Sequence, residues 1–355
     1  MLSYCDPGAM KTRILEVLER YPYRAPWWMK NTHAQTIWVG TVRKKTGLLL
    51  APKFRRERWD TPDGDFLDLV FVDGKENAPV VVLFHGLEGD AHSYYISGYG
   101  RLFKKLGWTF AAMLFRSCGF EMNRTAKFYH IGATEDPKFV LEHFRERYPD
   151  RPIFGIGISL GGNVLGKLLG EEGENARLWM DGAFLLSPPY EPQTAAPYFH
   201  QLFNGFYARH FIKTMKPKAL DLAWRFPGLL DEDAIRNSDD FYTFDSAVTA
   251  PLNGFVDAED YWKKTGCGQF LPGVRVPTLL MTALDDFFIL PECMPYEAVE
   301  QSPWLYPLFT ERGGHGAFVC GPLPFLTRSW YEEQSLRFFR MLLKEGVGGK
   351  TSGQA

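Results

Sequence analysis

The stretch that most limits what this chain can become runs from Arg151 to Gly170. There an apolar run, Ile153-Phe154-Gly155-Ile156-Gly157-Ile158, turns through Ser159-Leu160-Gly161 into a helical pattern with Val164, Leu165, Leu168 and Leu169 on one side. Such a turn forces its central residue into a strained backbone conformation, and only small neighbours leave room for it, hence Gly157 and Gly161 flanking Ser159. The serine hydroxyl is thereby lifted clear of the sheet, above the positive end of the helix that follows. A bare G-x-S-x-G string arises by chance in about one chain in ten of this length, so its weight comes from the strand before, the helix after and the partners elsewhere.

Strand and helix alternate around this turn. Phe54 to Trp59 and Phe66 to Val72 alternate enough to read as paired antiparallel strands joined by Thr61-Pro-Asp-Gly64, and Pro79 to Gly86 reads as a strand buried on both faces of a mostly parallel sheet. A helix over Tyr95–Leu106, a strand over Thr109–Phe115 and a helix over Pro137–Tyr148 lead into the Ser159 strand, and Gly182 to Ser187 forms another buried strand. From Tyr190 to Arg275 the rhythm stops, and Phe199, Leu202, Phe203, Phe206, Tyr207, Phe211 and Ile212 make helical apolar stripes expected of a cap over the C-terminal edge of the sheet. Strands return at Val276–Thr282 and Pro307–Thr310, and a helix over Ser329–Lys344 closes the chain. The expected division is an N-terminal helix (Met10 to Tyr21, ended by Pro22) and wrapping segment over 1–50, a core over 51–189 and 276–345, the cap over 190–275 and a disordered tail over 346–355.

Composition narrows the function. A net charge of −2 with 23% charged residues lacks the basic excess that phosphate-backbone binding needs, so nucleic acid is not an expected partner. Five widely spaced cysteines fit neither a disulfide framework nor a zinc site, and neither a metal cluster nor a dinucleotide fingerprint is visible, so no cofactor is expected. The first residues lack a secretory signal and no stretch suffices to span a bilayer, which reads as a soluble cytoplasmic protein and leaves a peripheral membrane contact open.

A serine hydroxyl becomes a nucleophile only if a base takes its proton, and that base must be oriented by a third group. In the α/β-hydrolase arrangement the chain order is serine, acid, histidine. Of the eight histidines only His315, in Gly313-Gly314-His315-Gly316, lies beyond the strand that carries the acid. The loop after that strand offers Asp285 and Asp286, and the usual small-x-x-Asp spacing from Ala283 selects Asp286. Acyl transfer also needs two donors for the oxyanion, expected from the backbone N–H groups of Leu160 and Leu87. His85-x-x-x-x-Asp90 matches an acyltransferase spacing, read here as coincidence because His85 opens the oxyanion loop.

These features resemble the α/β-hydrolases of the YheT type, related to eukaryotic ABHD-type lipases and to yeast medium-chain ethyl ester synthases. Further matching segments are Asn31-Thr-His-Ala-Gln-Thr36, His85-Gly-Leu-Glu-Gly89, Arg116-Ser-Cys118, Tyr129-His130 with Gly132 and Glu135-Asp136, and Ala283-Leu-Asp-Asp286. Thr32, Ser117, Phe287 and Ala317 depart from the family pattern, and His33, Arg116 and His130 read as structural. The resemblance implies a Ser159, Asp286, His315 triad with ester hydrolysis or acyl transfer. The resulting expectation is a serine carboxylesterase acting on short- to medium-chain acyl esters. An acyltransferase or phospholipid lipase is the alternative on the same site, and a non-catalytic ligand-binding protein is a further one.

Overall fold

The computed structural model describes residues 6–42, 51–201, 205–324 and 326–348. Its strands are β1 (Arg55–Asp60), β2 (Phe66–Val72), β3 (Val80–Phe84), β4 (Thr109–Leu114), β5 (Ile153–Ile158), β6 (Gly182–Leu186), β7 (Thr278–Ala283) and β8 (Leu305–Thr310). They form one sheet in the order β1-β2-β4-β3-β5-β6-β7-β8. β2 runs antiparallel to both neighbours, and every pair from β4 to β8 is parallel. β9 (Val319–Cys320) and β10 (Arg328–Ser329) pair separately.

The helices are α1 (Pro7–Glu19), α2 (Thr32–Ile37), α3 (Tyr94–Leu106), α4 (Glu135–Arg147), α5 (Leu160–Glu172), α6 (Pro192–Gln201), α7 (Phe206–Arg225), α8 (Glu232–Asn237), α9 (Phe241–Phe244), α10 (Ala250–Asn253), α11 (Ala258–Thr265), α12 (Tyr296–Gln301) and α13 (Trp330–Lys344). The sheet divides the core into two. Val82 and Phe84 of β3 face Val140 and Phe144 of α4 and Leu165 and Leu169 of α5. Val81 and Leu83 face Ile96 and Phe103 of α3, Phe338 of α13 and Ile14 of α1. Burial on both sides is what makes the central strands read as unbroken apolar runs. β1 keeps Arg55 and Arg56 exposed, and charge along an edge strand opposes pairing with another chain.

Two expectations need correction. The first helix begins at Pro7 and ends at Glu19, before Pro22 can act: Pro7 takes the first position, where a missing N–H costs nothing, and Asp6 accepts from Gly8 N–H at 3.0 Å. β2 does not alternate, because it lies inside the sheet and all seven residues are buried.

After β6 the chain leaves the sheet and returns only at β7, with α6 to α11 between them. In the apolar stripe expected there, Tyr207 and Ile212 are buried and Phe211 packs against the core. Leu202 and Phe203, the side chains of Phe199 and Phe206, and tail residues 349–355 lie outside the described residues. Among those described, no helix is long and apolar enough to cross a membrane.

Candidate active site

At the end of β5 the chain turns at Ser159, whose φ of 51° and ψ of −115° are rarely tolerated outside glycine. The turn is locked by crowding. A Cβ at position 161 would stand 2.2 Å from the Phe84 carbonyl oxygen, and one at position 157 would stand 2.5 Å from the Gly161 carbonyl oxygen. Both glycines are therefore required by close backbone approach. The Ser159 N–H donates to the Leu186 carbonyl at 2.8 Å, which ties the turn to β6.

The loops after β7 and β8 bring the other two side chains to this serine. His315 Nε2 lies 2.8 Å from Ser159 Oγ, and its Nδ1 lies 2.9 and 3.1 Å from Asp286 Oδ2 and Oδ1. Asp286 is only 3% exposed and also accepts from the Phe288 N–H at 2.9 Å. Asp285 points elsewhere: its carboxylate accepts from the Gly314 N–H at 2.9 Å, and burial raises its pKa from the usual carboxylate value.

The histidine loop is held by residues that catalytic-motif reasoning does not single out. Thr36 Oγ1 on α2 accepts from the His315 N–H at 3.1 Å, and Ser187 Oγ after β6 accepts from the Gly316 N–H at 3.2 Å. The Thr32 hydroxyl donates to the Asp285 carbonyl at 2.8 Å. Gln35, fully buried, donates to the Met29 carbonyl at 3.1 Å while its oxygen accepts from Tyr23 and from the Val319 N–H. The Asn31 to Thr36 segment is thus a clamp on the loop after β8. Its only sequence signal was the family-like motif itself.

Leu87 and Leu160 line the same cavity as Ser159, and neither backbone N–H has a protein acceptor among the described residues. His85 is committed to structure. Its Nε2 accepts from the Phe115 N–H at 3.0 Å and its Nδ1 donates to the Gly86 carbonyl at 2.7 Å, while burial pushes its pKa down to about 4. That leaves no nitrogen for the acyltransferase-like spacing with Asp90. Arg116 is buried against Asp65 and Asp136 at 2.9 and 2.7 Å, and His33 Nδ1 faces the Tyr207 hydroxyl at 3.2 Å. His130 accepts from the Gly132 N–H through Nδ1 at 3.1 Å, and burial lowers its pKa to about 4. Ser117 adopts φ +63°, a left-handed backbone that glycine takes most readily.

The cavity above Ser159 has a volume of about 510 Å³, within the usual range of small-molecule sites. Its wall is largely apolar, built by Tyr207, Phe211 and Met215 of α7 and by Phe288 beside the His315 ring. Among the described residues no cluster of three or more potential metal ligands exists.

A mostly parallel sheet whose strand ends present a serine, a histidine and an aspartate in one hydrogen-bonded line over an apolar cavity defines the α/β-hydrolase class. The chain belongs to the α/β-hydrolase fold family, whose profile matches residues 79–322. It is 32% identical to YheT of Escherichia coli K12 over 82% of this chain and 86% of that protein. It is 26% identical to the mouse phospholipase ABHD3, covering 83% of this chain and 75% of the relative. The medium-chain fatty acid ethyl ester synthase/esterase 2 of Saccharomyces cerevisiae is 27% identical, over 74% and 62%. Among solved structures, an esterase of Pyrococcus furiosus superposes with a TM-score of 0.56 at 16% identity, covering 82% and 91%, a likeness of fold. The protein is a hydrolase of the esterase and lipase class.

Proposed function

We propose that the protein is a serine carboxylesterase that hydrolyses short- to medium-chain acyl esters through an acyl-enzyme at Ser159. The observation that carries this reading is the unbroken line from Asp286 through His315 to the Ser159 hydroxyl, with hydrogen-bond distances of 2.9 and 2.8 Å. His315 Nε2 takes the serine proton as Oγ attacks the ester carbonyl. Asp286 holds the ring so that Nε2 is the free base and stabilises the imidazolium that forms. The carbonyl oxygen, now an oxyanion, accepts from the N–H groups of Leu87 and Leu160. His315 then returns the proton to the leaving alcohol, and water repeats the sequence to release the acid. Helices α6 to α11 act in this reading as a cap that closes the acyl pocket, and the apolar wall from α7 favours a hydrocarbon chain.

An alcohol that enters in place of water gives transesterification from the same acyl-enzyme. The ethyl ester synthase/esterase name of the yeast relative favours testing that outcome directly. A panel of p-nitrophenyl esters of increasing chain length, with and without added ethanol, measures both chain preference and transfer. Fluorophosphonate labelling of the wild type and its loss in Ser159→Ala are expected. A wild type that is not labelled sinks the esterase reading and leaves a ligand-binding protein.

A further inference from the structure

The loop from His85 to Asp90, which carries the Leu87 N–H, is not held by the core alone. Gly86 N–H donates to the Tyr95 hydroxyl at 3.1 Å, and the Gly89 N–H closes a turn on the Gly86 carbonyl at 3.0 Å. Between them Glu88 adopts φ +53°, a left-handed conformation that costs a non-glycine residue about 1 kcal/mol. Something must hold it there.

The hold is a closed hydrogen-bonded ring. The Glu88 N–H donates to the Tyr129 hydroxyl at 2.9 Å, and that hydroxyl donates back to Glu88 Oε1 at 2.7 Å. Lys218 Nζ, from α7, donates to the same Oε1 at 2.8 Å. The Glu88 side chain is 8% exposed and that of Lys218, which also reaches Cys118 Sγ at 3.5 Å, 21% exposed, so this is a largely desolvated pair in which removing either partner leaves the charge of the other unbalanced. Tyr129 is itself fixed by stacking on Phe115 at 5.7 Å. One residue before Glu88 stands the N–H that would receive the oxyanion, and on α7, the helix that carries Lys218, stand the cavity-wall residues Tyr207, Phe211 and Met215.

We propose that Lys218 is a positioning residue: through Glu88 and Tyr129 it holds the Leu87 N–H at the oxyanion, so that the seating of α7 and the catalytic power of the hole are coupled. This rests on the esterase reading above. A helix that forms the substrate wall and also latches the oxyanion loop links occupancy of the pocket to transition-state stabilisation. The coupling belongs in kcat, because a displaced oxyanion donor weakens the transition state while the apolar wall that binds the ester is kept.

The test compares wild type with Lys218→Met, Lys218→Arg and Glu88→Gln for hydrolysis of p-nitrophenyl butyrate and for inhibition by an alkyl trifluoromethyl ketone, whose serine adduct carries an oxyanion. Removing one oxyanion donor outright costs roughly 100- to 1,000-fold in kcat, so displacing it is expected to cost about 10- to 100-fold. Lys218→Met should therefore lower kcat by that factor with KM changed less than about 3-fold, and weaken the ketone in parallel. Lys218→Arg, which keeps the charge and donors, should recover most of both. A raised KM at constant kcat, or unaltered ketone affinity with lowered kcat, overturns the proposal in favour of simple helix attachment. If Lys218→Met does not fold, Glu88→Gln, isosteric and uncharged, is judged by the same kcat and ketone criteria. Fluorophosphonate labelling of wild-type Ser159 is run alongside, so that failure of the esterase reading is told apart from failure of the coupling.

Discussion

Asp285 and Asp286 are adjacent in sequence but face different partners. Asp286 meets the ring nitrogen of His315 with both oxygens, while Asp285 accepts from a backbone N–H in the loop that carries the same histidine. Changing either to asparagine keeps the size and one acceptor, so the consequences diverge by role. In Asp286→Asn the side-chain amide can donate to Nδ1, which stabilises the tautomer whose Nε2 bears the proton and cannot accept one from serine. A loss of about 10,000-fold in kcat is expected, as for other triads. Asp285→Asn keeps its oxygen on the Gly314 N–H and should lose less than about 10-fold. A larger loss in Asp285→Asn than in Asp286→Asn, measured as kcat on one ester, would overturn the assignment of the acid. Counting from Ala283 pointed to Asp286 because the turn is local: the Asp286 N–H closes on the Ala283 carbonyl at 3.1 Å. The role of Asp285 was not legible in the same way, since its carboxylate accepts from a backbone N–H, that of Gly314, which no residue type in the sequence marks.

At the scale of elements, what could be read from the sequence was whatever repeats locally. β3 to β7 show as apolar runs because each is buried on both faces, and α5 shows because Val164, Leu165, Leu168 and Leu169 recur at helical spacing. The role of α2 was not readable. Its six residues have little periodicity, and its contacts reach across 279 positions to the His315 N–H. The structure makes that helix a brace on the loop that carries His315. Thr36→Val removes the acceptor from the His315 N–H and leaves a partly buried donor unpaired, at a cost of about 1–3 kcal/mol. The expected result is a kcat reduced by about 10-fold with the melting temperature lowered by a few degrees, and Thr36→Ser should restore both. A Thr36→Val enzyme with unchanged kcat would show that the loop keeps its place without this bond.

For the molecule as a whole, titration of its buried groups sets how stability follows pH, and Asp245 is the group to change. It begins the π-turn Asp245–Thr249, lines the cavity and is 7% exposed. Its oxygens accept from the Thr249 hydroxyl at 2.6 Å and from Trp262 Nε1 at 2.8 Å, and the neighbouring charge is another carboxylate, Asp240. Burial lifts its pKa to about 6, from 3.8. An acid whose folded pKa is raised has its penalty removed at low pH and incurred as pH rises from the unfolded value through the folded one. The ionised carboxylate therefore costs about 3 kcal/mol above pH 6, and nothing below about 3.8. His85 acts in the opposite sense, because its folded pKa of about 4 removes stability as pH falls from 6.5. That effect is common to wild type and variant and cancels when they are compared at one pH. In Asp245→Asn the amide oxygen can keep the Trp262 N–H while its N–H group donates to the Thr249 hydroxyl, so both contacts survive without the charge. The variant is expected to unfold at higher urea concentration than wild type at pH 8, by up to about 3 kcal/mol, with the two curves converging near pH 4. Identical stabilities at pH 8 would mean that the carboxylate is solvated through the cavity. A gain that persists unchanged at pH 4 would trace the effect to packing instead of charge.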